Sequence, residues 1–72
     1  MTKKELKAKL EQLLERRTQD MVEAHGKNDY SIETMYFGVS CGIIDSMRVA
    51  EIIDWDQVRE MKEQLMKKRQ DA

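Results

Sequence analysis

One stretch has to supply the core of this chain. Ser31 to Val58, SIETMYFGVSCGIIDSMRVAEIIDWDQV, holds most of the bulky apolar residues, two of the three glycines, and the only Cys, Phe and Trp. The segments on either side are highly charged and patterned as amphipathic helices. Each needs an apolar surface to pack on, and this stretch is the one that offers it. A chain of 72 residues forms a single domain, buries only ~60% of its unfolded surface, and draws rarely more than ~3–5 kcal/mol from its core. Cys41 has no partner for a disulfide, and one His with one Cys cannot complete a four-ligand zinc site. Self-association is the expected staple.

The N-terminal flank predicts a helix over about 2–25. Thr2 can cap it, and Glu5, three residues on, fits a capping box. Leu6, Leu10, Leu13, Leu14, Arg17, Met21 and Ala24 recur at helical spacing. Gly26 is the expected left-handed residue after its end, followed by the polar turn Lys27-Asn28-Asp29. Lys3, Lys4, Lys7 and Lys9 could form a phosphate-binding patch. Interleaved with Glu, they read better as a solvated face. His25 reads as a helix C-terminal residue facing the last carbonyls rather than as a ligand.

The central half, Ser31 to Ala50, carries two periodicities. On a helical template Ile32, Met35, Tyr36, Val39, Ile43, Met47 and Ala50 make one apolar stripe. On a strand template Met35, Phe37, Val39, Cys41 and Ile43 alternate with Thr34, Tyr36, Gly38, Ser40 and Gly42. Ser31, with Glu33 and Thr34, is an acceptable N-cap region. A strand over 34–44 would have to pair with a second copy, because no other segment resembles one. The helix, over about 31–50, is the preferred reading; the strand stays as the alternative. In a helix, Gly38, Gly42, Ser46 and Ala50 fall four apart and form a ridge of small residues that a neighbouring helix can approach closely. Two mid-helix glycines cost ~1 kcal/mol each relative to alanine. That cost points to close packing.

The last segment is the best specified. Asp54-Trp55-Asp56-Gln57 is a capping box, and Ile53 with Val58 is the accompanying hydrophobic staple. It predicts a helix over about 55–69 whose buried face carries Trp55, Val58, Met61 and Leu65, with Met66 beside it. Glu51 falls where glycine usually ends the preceding helix, with Ile52 placed to fold back on Met47; the alternative there is a kink. Short connections make the three helices an antiparallel, all-α bundle. That topology would set Lys3, Lys4 and Lys7 near Asp54 and Asp56, and Asp20 and Glu23 near Lys67, Lys68 and Arg69.

Composition narrows the function. Charged residues are 38% of the chain, aromatics 6%, proline is absent, and the net charge is −1. This favours helix and speaks against a general affinity for nucleic acid. No apolar run approaches the ~20 residues of a membrane span. Met1 to Lys9 has charge with no apolar segment behind it, so no secretory leader is expected. A lone thiol fits the cytoplasm. No phosphate loop, nucleophile elbow or metal-binding His pair appears, so no enzymatic activity, metal or cofactor is expected. Cys41 reads as a structural thiol. Asp45 and Arg48 read as a surface or i,i+3 pair. Tyr30, Tyr36 and Phe37 read as packing residues rather than base-stacking ones.

The segment GIIDSMRVAEIIDWDQVREMKEQL resembles a layout common in very short proteins of bacteriophages and prophages: a helix with small residues, a turn, an Asp or Thr cap and a charged last helix. The resemblance covers about a third of the chain, and Glu51 departs from the glycine usual at the turn. It implies a protein that binds and inhibits a host or defence factor, or sequesters that factor's ligand.

The leading expectation is therefore a self-associating helical protein that occupies a partner's surface. Its association residues would be Gly38, Gly42, Ser46 and Ala50, with Tyr36, Val39, Ile43 and Met47 alongside. One alternative is an oligomer that sequesters an anionic nucleotide between subunits, with Lys27, Tyr30 and Arg48 as contacts. Another is a ribbon-helix-helix DNA-binding dimer, with the strand reading of Thr34 to Cys41 as its ribbon.

Overall fold

A computed structural model describes residues 1–71. Three helices follow one another: α1 (Lys3–Gly26), α2 (Tyr30–Val49) and α3 (Trp55–Asp71). No strand occurs among the described residues, so residues 34–44 lie inside α2 and the intermolecular ribbon is not formed. The helical stripe and the capping chemistry at both ends of α2 outweigh the period-2 alternation.

Thr2 caps α1. Its hydroxyl oxygen accepts the Glu5 N–H at 3.1 Å and donates to the Glu5 carboxylate at 3.0 Å. The turn after α1 differs from expectation. Gly26 belongs to the helix, and Asn28 takes the left-handed position at φ 58°. Asn tolerates that region because its short polar side chain bonds locally. The Asp29 N–H donates to Ala24 O at 2.9 Å and the Asn28 N–H to His25 O at 3.0 Å, the double closure of a Schellman motif. Asp29 then caps α2, accepting the Ile32 N–H on Oδ1 at 3.2 Å. Asp29, not Ser31, is thus the N-cap, because one residue closes α1 and opens α2.

The second turn forms a Schellman motif of the same kind. Glu51 sits at φ 59°. The Ile52 N–H donates to Met47 O and the Glu51 N–H to Arg48 O, each at 2.9 Å. Asp54 follows as the N-cap of α3. Its Oδ1 accepts the Gln57 N–H at 2.8 Å, and Gln57 Oε1 accepts the Asp54 N–H at 2.9 Å. Ile53 and Val58 are both buried, as a staple requires.

α2 lies in the middle. α1 packs along it, α3 packs against it, and α1 and α3 touch each other least. Met21, Ile44, Met47, Ile53, Val58 and Leu65 form the core, with Leu14, Phe37 and Met61 packed around them. Trp55 departs from the expected buried face and is 68% exposed. The core side of α3 is set by Val58, Met61 and Leu65, and Trp55 falls beside that arc, under the Arg48 guanidinium at 5.0 Å. Met66 is likewise exposed.

Ion pairs also depart from the expected helix-to-helix pattern. Asp20 pairs with Arg17 and Asp56 with Arg59, each within its own helix. Arg69 reaches Glu33 instead, a residue 2% exposed in the first turn of α2. Glu33 Oε2 also lies 2.7 Å from His25 Nδ1, so this carboxylate joins all three helices. Arg69 further donates to Thr34 Oγ1 at 3.1 Å and covers the Phe37 ring at 4.8 Å. The hydrogen bond from His25, with Arg69 beside it, holds the Glu33 carboxyl below the ordinary carboxylate range against the opposing effect of its burial.

Glu51→Gly relieves the left-handed strain and raises stability by up to ~1 kcal/mol in urea unfolding. For Glu33 the folded value is the lower one, so its contribution is complete above ~4.3, the value of an unperturbed Glu, and is lost as pH falls through the folded value. Glu33→Gln should therefore melt below the wild type at pH 7, with the gap closing as the solution is made acidic. A gap constant with pH would contradict this.

Candidate functional site

The outward side of α2 is the most distinctive surface of the chain. Starting from Ile32, the residues Met35, Val39, Gly42, Ser46 and Val49 recur at alternating spacings of three and four, which puts them along one line of a helix. All six are exposed. Ser31 and Gly38 lie beside the line, exposed as well. The only charged side chain at the margin is Asp45, and it is already bonded to Lys62 Nζ of α3 at 2.8 Å. That bond also raises the Lys62 ammonium above its usual value. In a chain that is 38% charged, this leaves a helix face with no free charge.

The small-residue ridge lies on this outward side. Gly38, Gly42 and Ser46 are exposed and Ala50 is half-buried at the helix end. Neither α1 nor α3 packs on the ridge: a Cβ added at Gly38 or Gly42 would meet nothing within 4 Å. The other association candidates divide. Val39 is on the outward line at 41% exposure, while Ile43 and Met47 are buried in the chain's own core, so neither is available to a partner. Tyr36 is half-buried, with the Arg17 guanidinium 6.0 Å from its ring centre. The apolar stripe read from the sequence is two neighbouring rows of α2, one turned into the core and one outward.

Val49 is 84% exposed and leads to Trp55 across a shallow depression that Arg48 and Glu51 also line. The sequence pattern alone does not single out this exposed Trp–Arg pair at the end of the outward line. Its signal was present: Val49 continues the three-four spacing, and Trp55 is the first residue after a cap, where a side chain need not face the core. Trp and Arg are the side chains most often found to dominate protein contacts.

The proposed ligand contacts do not converge within one chain. Lys27 and Tyr30 sit where α1 turns into α2, and the Tyr30 hydroxyl donates to Asn28 Oδ1 at 3.2 Å. Arg48 is ~27 Å along the helix from Tyr30. Arg48 also does not pair with Asp45, which bonds Lys62 instead. A cleft of about 380 Å³ opens between α1 and α3, with Leu14, Val22 and Ile44 inside it and Glu11, Glu15 and Lys68 along its edges. Cys41 is half-buried and desolvation pushes its thiol up, away from the thiolate a nucleophile needs. No group of three or more His, Cys, Asp or Glu among the described residues could hold a metal ion. None of the described helices is long and apolar enough to cross a membrane.

Because the space around Gly42 is open, Gly42→Ala should stabilise the folded chain by ~1 kcal/mol through helix propensity alone. Urea unfolding at low chain concentration checks this. A loss of stability there would show that the chain itself covers the site.

No protein-family model matches the chain, and neither a curated protein nor a solved structure is detectably similar to it.

Proposed function

We propose that this chain is a non-enzymatic helical interaction protein that self-associates and covers a surface of a partner protein, as the resemblance to short phage-borne inhibitors implies. The observation that carries the reading is the outward face of α2, which is apolar or small along its length and has no free charge. Exposed apolar faces of this kind in otherwise charged chains mark sites of protein contact. The two open glycines support it from a second direction. They weaken the helix by ~1 kcal/mol each relative to alanine and relieve no crowding inside the chain, so their benefit lies in what approaches from outside.

Nothing comparable supports catalysis. Burial pushes the one thiol up from its ordinary value, and the one imidazole is engaged by a buried carboxylate. A host or defence protein is the proposed partner.

The test places a photo-crosslinking side chain at position 42 on the outward face and, separately, at Glu63 on the exposed side of α3. Irradiation in cells should give adducts, to a second copy or to another protein, from position 42 and few from position 63. Equal yields, or none from position 42, would remove the outward face as the contact surface.

A further inference from the structure

The outward face of α2 also carries information about what covers it. Taken from its N-terminal end, the line begins with the large residues Ile32 and Met35, passes Val39, and then turns small at Gly42 and Ser46 before Val49. A face graded from large to small does not fit a parallel copy of itself. Met35 would meet Met35 and hold the helices apart, while Gly42 would face Gly42 across a gap. Reversing one helix removes the conflict. Gly38 and Gly42 straddle the midpoint of α2, so a two-fold axis between them sets Gly38 of each copy over Gly42 of the other. Val39 then enters the space left by the two glycines, Met35 lies over Gly42 and Ser46, and Val49 lies over Ser31. Met35 and Val39 are matched to small residues across the middle of the face, while Ile32 packs beside Val49 at its two ends, the knob-and-hole fit that close helix packing requires.

We infer that a second copy of this chain covers the outward face of α2, antiparallel, about a two-fold axis between Gly38 and Gly42. The inference rests on the reading of that face as a contact surface. It assigns this face to self-association and gives its direction, which leaves the partner protein to the surfaces the pair still exposes.

Surface area agrees with it. The chain has a mass of 8.5 kDa and exposes 5123 Å². A compact monomer of that mass exposes ~4,650 Å², leaving an excess of roughly 470 Å² per chain. Two such excesses, roughly 940 Å², lie just under the ~1,000 Å² that a stable interface clears, the scale of a weak pair that forms as concentration rises. The outward line, ~26 Å long from Ile32 to Val49, offers a contact strip of that scale. Charge agrees as well. The one acid at the margin, Asp45, is neutralised by Lys62 of its own chain, so two copies of the face meet without like-charge repulsion. The face is self-complementary, as a two-fold interface must be.

Two measurements decide the matter. In light scattering at high micromolar concentration, the wild-type chain should have twice the 8.5 kDa chain mass. Gly42→Leu should return it to the single-chain mass with its helical circular dichroism intact, because position 42 faces outward and a Cβ there meets nothing of its own chain within 4 Å. The only tryptophan, Trp55, should become less accessible to a quencher as wild-type concentration rises, and should not do so in Gly42→Leu. A wild-type monomer, or an unchanged dimer in Gly42→Leu, would overturn the inference.

Direction is read by disulfide trapping in a Cys41→Ser background. Gly38→Cys chains mixed with Gly42→Cys chains should cross-link to each other far more than either does alone, since bridged Cα atoms must come within ~7 Å. Efficient cross-linking of Gly42→Cys with itself would mean a parallel pair and would overturn the stated direction. A monomer in light scattering together with adducts to other proteins from position 42 in cells would sink the second copy and leave the contact-surface reading standing.

Discussion

Glu33 occupies the one place where the three helices meet. Its carboxylate is buried in the first turn of α2, and its Oε2 is bonded both by His25 at the end of α1 and by Arg69 near the end of α3. Since α1 and α3 touch each other so little, this carboxylate does for them what an apolar seam would do in a fuller bundle. Arg69 adds a bond to Thr34 and covers Phe37, so the same guanidinium fixes the rotation of α3 about its axis. A buried charge is tolerated only when its partners are in place. The register of α3 on α2 is therefore specified by chemistry, and the open cleft between α1 and α3 does not let the bundle slide.

At the opposite end the turn does the corresponding work. Glu51 accepts a left-handed backbone so that Ile52 can fold back over Met47, and Ile53 and Val58 then staple the start of α3 to the core. One end of α3 is thus held by backbone hydrogen bonds and apolar packing, the other by a charged cluster. Both holds act on α2. Its inner side is committed to the chain, which leaves its outer side to whatever lies outside.

Much of this architecture was legible in the sequence. The caps at Thr2 and Asp54, the Glu51 turn and the staple follow from local rules that act over a few residues. Long-range polar contacts were not legible. Glu33 has the look of an ordinary first-turn acid, and nothing near it in sequence announces that Arg69, in another helix, will bury it. Asn28 displaced Gly26 at the first turn because the extra helical residue let Asp29 serve as the next cap. Trp55 misled for a related reason. A large aromatic at a helical position suggests core, but the arc through Val58, Met61 and Leu65 was already sufficient to cover α2.

The strand-like alternation of the central segment has a physical origin in the helix. Tyr36 turns toward Arg17 of α1, Phe37 and Cys41 turn toward α3, Ile43 enters the core, and Met35 and Val39 point outward. A helix with apolar residues at nearly every angle satisfies any short periodic template, including period two. An α-helix that is hydrophobic all round belongs in an interior. In this chain only part of the circumference of α2 is enclosed, and the remaining part lacks both charge and side-chain bulk at its midpoint. The ambiguity of the sequence and the open face of the fold are therefore one property: α2 has the composition of a helix covered on every side, and its own chain covers only the inner ones.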